Sequence, residues 1–218
     1  MDNVISLTER RQELAAASAQ RPRNRFARTT FAFDLMLPQT YLAAERVDQM
    51  FSGVRWQPAS SHCVWTGGVP DVQLAAEAEE RAAALNVPLV WPVRYGTPVR
   101  PAMRAAALAA ELGRGAAFVL AASRLAFCGG FDLGDPEVLA EAAAAANVPL
   151  ELCLAAAGDA GRDVAIDEAG RRLAERGAHA LPALRVGRTI FSGEERLSEA
   201  YAAASAAERA PALRPISA

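Results

Sequence analysis

The stretch TTFAFDLMLPQTYLAAERV, residues 29–47, joins a strand pattern directly to a helix pattern. Aromatic and aliphatic side chains alternate with others over residues 31–36, and this period of two predicts a buried strand. Pro38 suits the first position of a helix, because proline lacks the N–H that would be unbonded there. Apolar residues then recur at helical spacing as far as Phe51, and GVRWQP, residues 53–58, predicts a second strand. We therefore expect a β-α-β unit.

A second block with strand patterns lies near the C-terminus. ALPALRVGRTIFSGEERLSEAYAAAS, residues 180–205, predicts a strand, a tight turn at Gly187, another strand and a helix. Ser192 and Glu195 have the S-x-x-E spacing of a capping box, in which each side chain bonds a free backbone amide at the helix start. We therefore expect this helix to begin directly after Ser192.

The residues between the two blocks are almost entirely helical in pattern. Asp135 followed by Pro136 marks one helix start, because a carboxylate can cap the free amides there. The order β-α-β, helices, β-β-α, with a proline at the third strand, predicts an α/β thioredoxin fold: a mixed four-stranded sheet with a large all-α insertion. We expect a flexible N-terminal tail (residues 1–28), the first part of the thioredoxin core (29–69) and the helical insertion (70–177). The second part of the core (178–207) and a flexible C-terminal tail (208–218) follow.

Composition excludes several functional classes. All 23 basic residues among the 218 are arginine, so no lysine can form a Schiff base or act as a general base. A formal net charge of -2 argues against a protein that binds nucleic acid or a membrane surface as a whole, and the arginine-rich N-terminal tail is best interpreted as a solvated extension. No apolar run of about 18 residues or more occurs. Three cysteines without a C-x-x-C pair, and no secretory signal pattern, favour a cytoplasmic location.

Several segments together resemble one known superfamily. FDLMLPQTYLA is similar to the active-site segment of the DsbA-like thioredoxin-fold superfamily. LNVPLVWP, FDLGDPEVLAEAAAAA and RRLAERGAHALPALRVGRTIFSGEERL resemble its branch of 2-hydroxychromene-2-carboxylate isomerases and kappa-class glutathione transferases, so the resemblance covers about residues 30–200. It implies a cis peptide bond before Pro182, which would leave the backbone groups of Leu181 able to pair with a peptide-like substrate.

The resemblance also locates a candidate active site. In the redox members a C-P-x-C pair opens the first helix, and in the isomerase and transferase branch a serine takes the first position and stabilises the glutathione thiolate. Leu37 falls on that first position, Pro38 on the proline and Thr40 on the second cysteine. A leucine side chain can neither attack a disulfide nor donate a hydrogen bond to a thiolate. Thiol redox activity is therefore expected to be absent, and Thr40 is the remaining hydroxyl of the motif.

Glutathione is the cofactor that the resemblance implies, but two of its family contacts are missing. The segment CVWTGGVPD has Trp65 near the usual lysine position and Gly68 where an asparagine is expected. Backbone amides near Glu194 and Glu195, at a helix start, are expected to favour the γ-glutamyl carboxylate. No local ligand spacing supports a metal site.

Two functions from different classes remain open at this point. The first is an enzyme related to the isomerase or transferase branch, which would bind a small molecule in the cleft between core and insertion. The second is a non-catalytic member that uses the fold for binding or as a scaffold, with a homodimer as one possible form. The aromatic residues that could line the cleft, or pack beside it, are Trp56, Trp65, Trp91 and Tyr95.

Overall fold

The computed structural model describes residues 26–65 and 72–209. Four strands form one mixed sheet in the order β2-β1-β3-β4. Strand β2 runs parallel to β1, whereas β3 is antiparallel to both β1 and β4. The strands are β1 (Thr29–Phe33), β2 (Arg55–Pro58), β3 (Ala183–Val186) and β4 (Thr189–Ser192).

Eight α-helices occur in the described part of the chain, and six of them lie between β2 and β3. They are α1 (Pro38–Met50), α2 (Val72–Leu85), α3 (Arg100–Glu111), α4 (Gly115–Phe127), α5 (Pro136–Ala146), α6 (Leu150–Gly158), α7 (Asp163–Glu175) and α8 (Leu197–Arg209). Short 3-10 turns occupy Ser61–Cys63, Ala160–Arg162 and Glu194–Arg196. The thioredoxin-type sheet with a helical insertion is confirmed.

The two faces of the sheet bury different kinds of side chain. On the face that the larger hydrophobic core covers, where the insertion helices pack, the rings of Phe31 and Trp56 meet edge to face with their centres 4.8 Å apart. The smaller side carries Ala32 and Ala183, which leave room for α7 to pack closely. The sheet thus has the insertion helices of the main core on one face and α7 on the other. The end of β1 lies between these two layers of helices.

Strand β1 is shorter than its sequence pattern predicts, since it ends at Phe33 rather than continuing to residue 36. Asp34 causes the break, because its own carboxylate accepts the amide of Met36 at 3.1 Å and its carbonyl accepts the amide of Leu37 at 3.1 Å. These local bonds turn the chain, as aspartate commonly does at the ends of strands.

Of the predicted local signals, the turn and one cap are confirmed. Gly187 has φ of 59° in the turn between β3 and β4, and the Asp135 carboxylate accepts the amide of Glu137 at 2.8 Å at the start of α5. The predicted capping box is wrong. Ser192 ends β4, its hydroxyl accepts the amide of His179 at 3.3 Å, and helix α8 begins only at Leu197 after a 3-10 turn.

The ordered core includes a residue that the sequence assigns to the N-terminal tail. Phe26 is 2% exposed, its amide donates to the carbonyl of Ser52 at 3.1 Å, and its ring contacts Phe51 and Tyr201. The aromatic side chain therefore joins the C-terminal end of α1 to α8. Residues 1–25 and 210–218, and with them most of both predicted tails, lie outside the described residues.

None of the helices within the described residues combines the length and apolarity that crossing a bilayer requires. Across the same residues, histidine, cysteine and carboxylate side chains form no cluster of three that could hold a metal ion.

Candidate functional site

Leu37 stands at the junction of β1 and α1, where the superfamily places its cysteine or serine. It is the N-cap residue of α1, has extended backbone angles and forms no side-chain capping bond. Its side chain is 0% exposed and packs in a cluster beneath α7. The leucine side chain thus fills the position that the resemblance assigns to a cysteine or serine. The apolar cluster around it includes Met36, Ala59, Val64, Leu173 and Leu181.

Thr40 is also fully buried, and its hydroxyl is already used. Thr40 Oγ1 donates a hydrogen bond to the carbonyl oxygen of Asp34 at 2.7 Å. This bond fixes the first turn of α1 against the end of β1. The hydroxyl that remains in the motif therefore bonds the protein's own backbone and does not face solvent.

Asp34 organises the junction, a role that the sequence reasoning missed. Besides the amide of Met36, its carboxylate accepts the amide of Ser61 at 2.9 Å, just after β2. Asp34 is 6% exposed, so these two bonds satisfy a buried charge. The available signal was an acidic residue directly after a buried strand, which has to find partners when the chain folds.

The loop before β3 lies close to this junction. The peptide bond between Leu181 and Pro182 is cis. Leu181 is 2% exposed and belongs to the same apolar cluster as Leu37. The carbonyl of Pro182 accepts the amide of Gly193 at 2.9 Å, which ties the loop to the end of β4. The structure therefore brings the predicted residues 37, 40, 181 and 182 together, but as a packed interior.

The two glutamates near α8 have different environments. Glu194 is 4% exposed, and its carboxylate pairs with Arg46 at 2.6 Å and with Arg81. Glu195 is exposed. The Glu194 carboxylate therefore joins α1 and α2 to the turn before α8, and binding of an anion by the amides there stays a prediction.

Trp65, Trp91 and Tyr95, which could line the predicted cleft, pack against other side chains. Trp65 is half-buried against the Leu37 cluster, and Trp91 packs on Tyr95 with ring centres 4.5 Å apart. Gly68 lies outside the described residues.

The cysteines lie away from the motif and differ in environment. Cys128, after α4, donates to the Tyr41 hydroxyl at 3.0 Å, and the Tyr41 hydroxyl donates to the Pro88 carbonyl at 2.8 Å. Burial, reinforced by Cys128, raises the pKa of Tyr41. Burial also raises the pKa of the Cys153 thiol, which is 0% exposed and therefore a poor nucleophile. Cys63 lies in the 3-10 turn after β2.

Open space near the junction is small. One cavity of about 10 Å³ lies beside Asp34 and His62, and another of about 20 Å³ lies beside Leu35 and Tyr95. These volumes are close to the roughly 10–15 Å³ that one water molecule needs. A cleft of about 690 Å³ instead follows the edge of the sheet along β2.

Three solved structures illustrate what this chain is similar to in fold. A 2-hydroxychromene-2-carboxylate isomerase superposes with a TM-score of 0.70 at 18% identity, over 82% of this chain and 95% of the isomerase. A probable DsbA oxidoreductase from Streptomyces coelicolor gives a TM-score of 0.63 at 22% identity, over 87% and 94%. The cytosolic disulfide reductase DsbM from Pseudomonas aeruginosa, solved with GSH, gives 0.59 at 17%, over 83% and 96%.

At the level of sequence, no family model and no curated protein matches the chain. The identities to the solved structures are all below 25%, so the likeness concerns the fold and not the activity. Sheet order, the helical insertion and the superpositions agree with one another. The chain has the DsbA-like thioredoxin fold that 2-hydroxychromene-2-carboxylate isomerase also has.

Proposed function

We propose that this protein is a binding member of the DsbA-like thioredoxin fold that performs no thiol chemistry. The observation that carries the proposal is the complete burial of Leu37 at the position of the reactive group. Disulfide exchange needs an attacking thiolate at the helix start, and a buried leucine supplies none. The helix dipole and free amides of α1, which would stabilise a thiolate, have no thiol to act on.

Activation of bound glutathione is disfavoured for the same reason. A thiolate at this position would need a hydrogen-bond donor and access to the helix start. Leu37 offers no donor, and the Thr40 hydroxyl donates to Asp34 instead. An enzyme that used Thr40 to orient an aromatic substrate would also need a cavity there, whereas the neighbouring cavities measure only about 10 and 20 Å³.

A ligand is better accommodated elsewhere on the molecule. The cleft of about 690 Å³ along β2 falls within the usual range of about 300–1,000 Å³ for ligand sites. Its walls combine the edge of the sheet with small residues of α3, α4 and α7. This cleft lies between the core sheet and the insertion helices, so we assign ligand binding to it.

Insulin reduction tests the absence of thiol chemistry. With dithiothreitol as reductant, insulin chains are expected to precipitate as slowly in the presence of the protein as in buffer alone. Titration calorimetry with glutathione is expected to give no binding heat. Accelerated precipitation that is lost in Cys63→Ser or Cys128→Ser would overturn the proposal, because it would show a thiol site outside residues 37–40.

A further inference from the structure

Strand β2 is an edge strand, and its register fixes which backbone groups face away from the sheet. The amide of Ala59 donates to the carbonyl of Phe33 at 2.9 Å, toward β1. Because backbone groups alternate in direction along a strand, Arg55 and Gln57 also bond β1. The amide and carbonyl of Trp56 therefore point outward, as does the carbonyl of Pro58.

The outward groups of Trp56 have no partner within the described residues, where no hydrogen bond involves its amide or carbonyl. Trp56 as a whole residue is 7% exposed and its ring packs on Phe31, so the strand is rigidly held while its outward amide and carbonyl stay unpaired. Just beyond, the chain is covered again, since the amide of Ser60 donates to the carbonyl of Ile166 in α7 at 3.2 Å. The free edge is thus one short segment.

This free edge lines the cleft of about 690 Å³. Helices α3 and α4 form one wall with small residues, among them Ala107 and Gly115, and α7 contributes Ala165 and Ile166. A Cβ added at Gly115 would lie 3.1 Å from the Cβ of Trp56, which shows how closely α4 approaches the strand. Because helices α3, α4 and α7 line this space together with β2, the edge opens into a cleft, a setting that suits a single extended chain better than the sheet of a second folded copy.

We infer that the cleft binds an extended peptide, which pairs antiparallel with β2. The inference rests on the proposed binding function and names the class of its ligand. A peptide residue opposite Trp56 exchanges two hydrogen bonds with it, as directly opposed residues of an antiparallel pair do. The peptide residue two positions earlier donates its amide to the carbonyl of Pro58. Because proline has no amide N–H, Pro58 can accept a hydrogen bond from the peptide through its carbonyl but cannot donate one.

The walls also restrict the peptide's side chains. Directly opposed residues project their side chains to the same face of the sheet, so the residue opposite Trp56 faces the start of α4. Gly115 and Ala116 line the cleft there. The site therefore selects a small side chain at this position.

A random heptapeptide library displayed on phage tests the site. Peptides selected on the full-length protein are expected to bind Ala107→Leu at least about tenfold more weakly, because leucine fills the cleft. Ala145→Leu, an exposed position on α5 away from the cleft, is the matched control and is expected to bind as the unmodified protein does. Thermal unfolding of both variants shows whether each is folded.

The backbone pairing has its own measurement. On addition of a selected synthetic peptide, hydrogen exchange at the Trp56 amide is expected to slow at least about tenfold. N-methylation of the peptide residue opposite Trp56 is expected to weaken binding at least about tenfold, whereas methylation of the next residue leaves it unchanged, because that amide points away from β2.

Recovery of no peptide, equal binding to Ala107→Leu, or unchanged Trp56 exchange would each overturn the inference. So would a dimer in solution whose Trp56 amide is protected without peptide, since a second copy would then occupy the edge. None of these results bears on insulin reduction, so failure of the peptide site is distinguishable from failure of the proposed lack of thiol chemistry.

Discussion

Thr40 and Asp34 are joined by a 2.7 Å hydrogen bond from a buried hydroxyl to a backbone carbonyl. The same carbonyl accepts the amide of Leu37 at 3.1 Å. These two bonds hold the end of β1 and the start of α1 together at the position where the resemblance places the active-site motif. This relationship predicts how the chain responds to substitutions at the junction.

Thr40→Val is expected to lower the free energy of unfolding by about 1 kcal/mol, the usual net value of one buried hydrogen bond. Valine preserves the shape of threonine, and the Asp34 carbonyl keeps its bond to Leu37, so no acceptor is left unpaired. Urea denaturation measures the change. Thr40→Ser keeps the hydroxyl and is the control for it; if serine and valine destabilise equally, the hydroxyl bond contributes nothing.

Leu37→Ala is expected to destabilise the protein by about 2–5 kcal/mol, because it opens a cavity in the cluster beneath α7. Leu152→Ala on α6 is the control, since this leucine is 50% exposed and is expected to change stability by less than about 1 kcal/mol. Both values come from urea denaturation at the same pH. A small loss for Leu37→Ala would mean that the position opens to solvent.

The double variant Leu37→Cys with Thr40→Cys recreates C-P-x-C at the start of α1. The two positions are one helical turn apart, since the amide of Thr40 donates to the carbonyl of Leu37 at 3.0 Å. Mild oxidation is expected to close a disulfide between them, seen as a loss of two hydrogens by mass spectrometry. Cys63→Ser is included to remove the thiol after β2.

Leu37→Cys alone, in the same Cys63→Ser background, is the control and is expected to lose no hydrogens. In the reduced double variant both thiols are expected to react slowly with iodoacetamide, because residues 37 and 40 are 0% exposed. Two thiols that stay unpaired under oxidation would show that residues 37–40 do not form the active-site turn of this fold.

The fold was predictable because its signals are local. Alternation around Phe31, proline at position 38 and the turn at Gly187 each specify their element within a few residues. The capping box failed because S-x-x-E also fits the end of a strand followed by a 3-10 turn. The competing partner of Ser192 is the amide of His179, which the spacing alone does not reveal.

The site was predictable only in part. That Leu37 disables thiol chemistry stays a prediction. The sequence did not indicate that the space around Leu37 is closed, because the covering residues come from α7 and from the loop before β3. The sequence also led us to expect a cleft between core and insertion, with Trp56 as a possible lining residue, but it did not indicate which helices form the walls. These walls include Ala107 and Ile166, whose proximity to Trp56 depends on tertiary packing over long separations.

Glu194→Gln is expected to destabilise the protein by about 2–3 kcal/mol, below the 3–5 kcal/mol of a fully buried pair. The glutamine keeps the volume but leaves Arg46 and Arg81 beside a neutral side chain, and both arginines are partly exposed. Glu195→Gln, at an exposed neighbour, is the matched control and is expected to change stability by less than about 0.5 kcal/mol. Equal effects in urea denaturation at pH 7 would contradict a structural role for the Glu194 pair.

Acid is expected to weaken the contact between α3 and α7. Arg104 donates two hydrogen bonds to the Asp163 carboxylate, at 2.8 and 2.6 Å, and this contact holds the pKa of Asp163 below its ordinary value of 3.8. A carboxyl with a depressed pKa in the folded state stabilises the protein above its unfolded pKa. That stabilisation is lost as the pH falls from about 4 through the lower folded pKa.

Asp163→Asn removes this pH-dependent contribution. It is expected to destabilise the protein by about 1–2 kcal/mol at pH 7, because the pair is only partly exposed and has two well-formed bonds. Between pH 5 and pH 2 the gap in unfolding free energy between the variant and the unmodified protein is expected to narrow, as Asp163 becomes protonated. Glu168→Gln is the control: arginines also lower the pKa of Glu168, but its side chain is 40% exposed against 24% for Asp163, so its loss is expected to change stability less at pH 7. A gap for Asp163→Asn that stays constant down to pH 2 would show that the Arg104 contact stabilises the fold through packing and not through charge.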